Sequence, residues 1–302
     1  MFSIKNIIII PICGFANRLR FISSSIILFK EFGIIPKIHW TPSTDCNISH
    51  SDIFKSFNNI EFIDIIPEKY LFYGHIHLSE VINRLKAQTN LINYETLIVA
   101  GGHEYKVDSL TNTKYISLKT QLYQNIQWNE AILSKISEIK NNIGIINNEY
   151  ITIHYRDIDN RFDTQDLKKS DNIDFNNNSP LSEFIKYSSS IKKYKILLFS
   201  NSDIVEIPNT IRISNKICDR NKTDSMIQSI IEFILMSNSK LIIGTYYSSF
   251  SDEACFFNCI PKIIPINSNI DYRNYHCVGI NKVDKVLCLN YSTKTFIECL
   301  DL

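Results

Sequence analysis

The chain has 302 residues, 44% hydrophobic and 12% aromatic, enough to bury one large core or two of ordinary size. Lys plus Arg (32) nearly balance Asp plus Glu (31), and a net charge of +1 excludes the basic footprint of a nucleic-acid or anionic-membrane binder while leaving room for a small anionic ligand. Eight cysteines with no C-x-x-C exclude a disulfide framework, and Cys255, Cys259 and Cys277 read as buried free thiols rather than a zinc site.

The first elements follow from the apolar runs. Residues 6–12, rich in isoleucine, read as a buried parallel strand; the run lacks a basic leader and stops at Pro11, short of a membrane span, so the expected location is cytoplasmic. Residues 17–32 read as the following helix, 34–40 as a second strand, 60–65 as a weaker third and 95–100 as a fourth running into Gly101-Gly102-His103. Residues 128–141 have helical spacing. In the second half, strands are expected at 150–155, 194–199, 240–244 and 262–266, with helices at 180–193, 223–237 and 251–258. This alternation predicts an α/β protein of two facing Rossmann-like domains, 1–148 and 149–302, with a ligand at the strand carboxyl ends.

Four clusters fall at such strand ends. Cys13-Gly14-Phe15-Ala16-Asn17-Arg18-Leu19 is a turn into a helix without a dinucleotide or P-loop pattern; taken alone, Asn17 reads as a helix cap. In His154-Tyr155-Arg156-Asp157-Ile158-Asp159, His154 and Arg156 share a face by strand alternation. The Arg156 guanidinium is suited to a diphosphate; a surface arginine paired to Asp157 or Asp159 is an equal alternative. Asp157-Ile158-Asp159 also fits, weakly, a divalent-metal D-x-D. Phe199-Ser200-Asn201-Ser202-Asp203 reads as a nucleoside-side loop or an ordinary turn. Gly244-Thr245-Tyr246-Tyr247-Ser248-Ser249-Phe250-Ser251-Asp252 ends a strand and opens a helix: Ser249 to Asp252 has the capping-box spacing, and the extra hydroxyls favour phosphate. His103 and Glu104, after a first-half strand, are candidates for the base that deprotonates an acceptor, with a solvated turn as the ordinary alternative.

In this order the clusters resemble the fucosyltransferase superfamily: α1,2-, α1,6- and protein O-fucosyltransferases and bacterial chitooligosaccharide fucosyltransferases. Cys13 to Leu19 is similar to its G-G-x-G-N-R-L, with Cys13 and Ala16 in place of glycines. Trp40, Cys46, Asp52 and Phe54 resemble a spaced W…C…D-L-F segment, His154-Tyr155-Arg156 the H-x-R motif with Asp159 closing it, and Leu198 to Asn201 an L-A-T-D strand end. Glu232…Ser237…Ile243-Gly244-Thr245…Ser248-Ser249-Phe250-Ser251 resembles the third motif, with Glu232 at the usual Asp.

The resemblance implies a GT-B fold and an inverting, metal-independent glycosyltransferase, with no cofactor, taking fucose from GDP-fucose to a glycan or protein hydroxyl. It implies an N-terminal acceptor-side domain and a C-terminal nucleotide-sugar domain. Gly14, Asn17, Arg18 and Asn201 fall among the substrate contacts. Arg156 would meet the β-phosphate, His154 and Glu232 would lie near guanine, and Ser248, Ser249, Phe250 and Ser251 would hold phosphates. Two departures stand out: Asp157 occupies the position of a second Arg, for which Arg161 is a candidate substitute, and Gly14 stands where protein O-fucosyltransferases carry a candidate base. The neighbouring readings are a transferase of the same fold for another nucleotide sugar, and a catalytically inactive binder.

Overall fold

The computed structural model describes residues 4–74, 95–104, 110–157, 179–202, 204–214, 219–246 and 248–265. Two compact units emerge: Met1–Leu133 with Arg220–Ile227, and Ser134–Asp219 with Gln228–Cys277. The first break lies inside a continuous helix rather than at 148/149. The chain also returns to the first unit through one backbone and one side-chain hydrogen bond, Asn47 N–H to the Arg220 carbonyl (3.1 Å) and Asn47 Nδ2 to the Asn221 carbonyl (2.7 Å).

In the first unit, β1 (Asn6–Pro11), β2 (Lys37–Ile38), β4 (Leu71–Gly74) and β5 (Thr96–Gly101) form a parallel sheet in the order β2-β1-β5-β4. A strand covered on both faces needs no polar alternation, which is why the isoleucine run can serve as β1. Ile7, Ile8 and Ile9 are buried, each stabilising by roughly 1.5–3 kcal/mol relative to exposure. Helix α1 (Phe15–Glu31) follows β1 and is buried along most of its length; Ser24 Oγ bonds back to the Arg20 carbonyl (2.8 Å), whereas the buried Ser25 Oγ has no hydrogen-bond partner. Residues 60–65 form no strand: Phe62 makes a single bridge to Ile38, and Ile65 is exposed. Instead the short helix α2 (His50–Ile53) leads into β3 (Phe54–Phe57), which pairs antiparallel with β6 (Ile126–Trp128) after α3 (Asn112–Gln124). The W…C…D-L-F segment is largely packing: Trp40 and Phe54 meet edge to face at 5.9 Å, and Phe54 stacks on Trp128 at 5.7 Å. Helix α4 (Glu130–Ile143) closes the unit and runs into the next.

In the second unit, β7 (Tyr150–Tyr155), β8 (Lys195–Ser200), β9 (Ile211–Arg212), β10 (Leu241–Gly244) and β11 (Lys262–Ile263) form a parallel sheet in the order β11-β10-β7-β8-β9. Helices α5 (Leu181–Ser190), α6 (Thr223–Met236) and α7 (Ser249–Asn258) alternate with these strands. Strand alternation divides β7: Ile151, Ile153 and Tyr155 join Phe184 and Tyr187 of α5 in one core, whereas Tyr150 bonds the Leu235 carbonyl of α6 and His154 meets Phe250 of α7. Register then levels the strand ends: His154 pairs with Gly244 on one side and Phe199 on the other.

Candidate functional site

The carboxyl edge of the second sheet brings three of the sequence clusters together. Thr245 stitches β10 to β7, its N–H and Oγ1 both donating to the His154 carbonyl (3.0 and 3.1 Å) while Oγ1 accepts from the Arg156 N–H (2.8 Å). From β8, Asn201 Oδ1 accepts from the Asp157 N–H (2.8 Å) and its Nδ2 donates to the Asp157 carbonyl (3.2 Å). Arg156 is thus set from both sides. The Asn201 amide acts on the arginine turn, a positioning role its loop sequence did not show.

His154 is 8% exposed, its ring 5.4 Å from Phe250, and its Nδ1 is buried without a hydrogen-bond partner. Burial first, then the Lys262 and Arg156 charges, push the imidazole down to about 3. It is therefore neutral at physiological pH, and its ring can hydrogen-bond and pack but carries no charge. Phe250 also meets Phe233 edge to face at 5.2 Å, which fixes this aromatic wall.

Helix α7 begins differently from its capping-box spelling. Ser248 is the N-cap, with no side-chain cap bond, and the Asp252 carboxylate turns inward to Lys262 Nζ (2.5 Å). Ser251 is fully buried and its Oγ also engages Lys262 (2.8 Å), so this hydroxyl faces the interior rather than a ligand. Ser249 and Phe250 are half-buried at the first turn, whose leading N–H groups have no helical acceptor. Ser248 Oγ is buried and unpartnered. A buried hydroxyl donor beside a helix N-terminus suits an anion. Gly244 is needed for this fold-back, because a Cβ there would lie 2.7 Å from Lys262 Cε and 2.8 Å from Ser251 Oγ. Sequence reasoning missed Lys262, which there is only the first residue of a short strand.

On α6, Gln228 Nε2 donates to Glu232 Oε1 (3.2 Å). Burial pushes the Glu232 carboxyl up to about 7 against the opposing pull of Gln228 and Arg212. Arg212, at the end of β9, is anchored to the Ser202 carbonyl (3.0 Å).

In the first unit the expectations need more correction. Gly14 is the N-cap of α1 in ordinary extended geometry, while Cys13, in the family's glycine position, carries φ +66°. Asn17 lies inside the helix and is not its cap. Arg18 is no ligand cation: 1% exposed, it donates to the Cys13 carbonyl (2.9 Å), the Thr41 carbonyl (2.8 Å) and Ser43 Oγ (2.8 Å), over the Trp40 ring at 4.7 Å. Its geometry clamps the 41–43 segment to the start of α1. His103 is exposed just past β5, but Glu104 is buried against Lys119 Nζ (2.5 Å) and the Tyr115 hydroxyl (2.7 Å), which removes it as a base. Cys259 is exposed and Cys255 buried. Among the described residues no group of three or more His, Cys, Asp or Glu is placed for a metal, and no helix is long and apolar enough to cross a membrane. Asp159, Arg161, Tyr247 and Cys277 lie outside the described residues.

Among the solved structures that share this fold are fucosyltransferases, the class that the motifs resemble. The fucosyltransferase NodZ from Bradyrhizobium superposes with a TM-score of 0.53 at 14% identity, covering 83% of this chain and 92% of its own. An Arabidopsis thaliana FUT1 mutant in complex with GDP gives 0.57 at 13% identity, covering 86% and 70%. POFUT1 in complex with GDP gives 0.51 at 10% identity, covering 86% and 98%. NodZ, an α-1,6-fucosyltransferase, has also been soaked with GDP-fucose. No protein-family profile and no curated protein sequence matches the chain.

Proposed function

We propose that the protein is an inverting glycosyltransferase that moves fucose from GDP-fucose to a hydroxyl of a glycan or protein, needs no metal, and works in the cytoplasm. The two units are then the facing domains of a GT-B enzyme, the first for the acceptor and the second for the donor. One observation carries the reading: Arg156, the unpartnered Ser248 hydroxyl and the start of α7 are brought to one sheet edge by Thr245. As the sugar–phosphate bond breaks, charge builds on the departing diphosphate; a guanidinium and a helix N-terminus there stabilise it and do what a metal does elsewhere. Glu232 accepts the two parallel donors of guanine, N1–H and the 2-amino group. The neutral His154 ring lies beside the base. Asn17 of the first unit contacts substrate, and the exposed His103 is the candidate base.

The test is donor turnover in EDTA with pooled oligosaccharide and protein acceptors. GDP release from GDP-fucose alone supports the reading. Release from a UDP-sugar, or only after manganese is restored, contradicts it. GDP binding without turnover from any donor identifies an inactive relative.

A further inference from the structure

Lys262 runs beneath Gly244 from the start of β11, 1% exposed. Its ammonium faces the Thr245 carbonyl (3.4 Å), Ser251 Oγ (2.8 Å) and Asp252 Oδ1 (2.5 Å), three acceptors for three protons. Asp252 neutralises it, so the pair adds little net charge. Ser251 has one hydroxyl proton; with Lys262 on its lone pair, that proton goes to the Ser248 carbonyl (3.3 Å). The same carbonyl accepts the Asp252 N–H (3.0 Å). Ser248 is therefore pinned by its backbone from two residues of the network, while its own Oγ, buried, has no partner.

We infer that Lys262 is a positioning residue of the proposed diphosphate site, acting through Ser251 to hold the Ser248 hydroxyl where a phosphate oxygen binds. The inference rests on the phosphate reading above and adds to it how the loop is held. A buried ion pair is weak as a stabiliser, because apolar residues of similar volume serve the core equally well. Its value here is directional: an apolar residue at 262 packs but leaves the Ser251 hydroxyl free to rotate.

Two ligands separate positioning from general stability. Guanosine carries the base without phosphates, and GDP carries both. Calorimetry on the full chain should show GDP bound more tightly than guanosine by the wild-type protein. Ser251→Ala, which keeps the Lys262–Asp252 pair, should weaken GDP about tenfold, the scale of one hydrogen bond, and leave guanosine unchanged. Lys262→Met with Asp252→Leu removes both charges together and should show the same selective loss. In a Ser248→Ala background, Ser251→Ala should cost nothing further, since its effect passes through that hydroxyl. An unchanged ratio of GDP to guanosine affinity in the Ser251 variant, or equal losses for both ligands, overturns the inference. Wild-type protein that binds guanosine as tightly as GDP overturns the diphosphate reading itself, and this inference with it.

Discussion

Glu232→Gln tests whether the second unit reads guanine. Burial holds the Glu232 carboxyl up to about 7, with the Gln228 amide and Arg212 opposing that rise. The base-reading form is the carboxylate, so the sign is fixed: affinity for GDP rises with pH and levels off above about 7. At about pH 6 roughly one carboxyl in ten is ionised, so affinity there should be about tenfold below its value at about pH 8. An amide in place of the carboxylate loses a charge-assisted bond and turns a donor toward the donors of guanine. Hydrogen bonds to charged groups are worth about 1.5–3 kcal/mol, which predicts a loss of roughly ten- to 150-fold at about pH 8. UDP, whose N–H is flanked by carbonyl oxygens, should bind poorly and lose little. Calorimetry of both proteins with GDP and UDP across this range in EDTA reads all three effects. Comparing variant with wild type cancels the titration of the nucleotide's own phosphate. Equal losses for GDP and UDP, or the same pH slope in both proteins, would show that Glu232 does not read the base.

Arg156→Ala should lower kcat by at least about a hundredfold with a smaller change in KM, because a fixed cation facing developing charge matters most in the transition state; near-wild-type kcat rejects that role. Glu104→Ala leaves the Lys119 ammonium buried without its carboxylate and should destabilise by about 3–5 kcal/mol in urea unfolding; a change under about 1 kcal/mol would mean that the pair is not buried as described. Cys13→Gly relieves a left-handed backbone (φ +66°) and should stabilise by up to about 1 kcal/mol; clear destabilisation would show that the thiol's packing outweighs the backbone strain.

The second sheet was legible because its strands are continuous apolar runs of ordinary length: 150–155 matches β7 residue for residue, and the edge from Gly244 to α7 falls within two residues of its expected place. What stayed hidden was polar material turned inward. Helix α3 buries Tyr115, Lys119, Thr120 and Tyr123, so a lysine and a threonine interrupt the apolar stripe by which a helix is recognised. Arg18 read as a substrate contact and Lys262 only as the first residue of a short strand, because sequence does not show which carbonyls and hydroxyls the fold gathers around a charge. The β3–β6 pair was unreadable for another reason: two very short strands, distant in sequence, carry too little alternation to announce each other. At the carboxyl edge of the second sheet the sequence pointed to Arg156 and Ser248, but read the Ser249–Asp252 spacing as a cap, where the structure commits Asp252 and Ser251 to Lys262.

The most direct measurement of the central claim is a crystal structure of the protein with GDP, grown in EDTA. The account predicts the β-phosphate within hydrogen-bonding distance of Ser248 Oγ and the Arg156 guanidinium, no metal between them, and the guanine edge on Glu232. GDP bound in the first unit, or with its phosphates away from the start of α7, contradicts it.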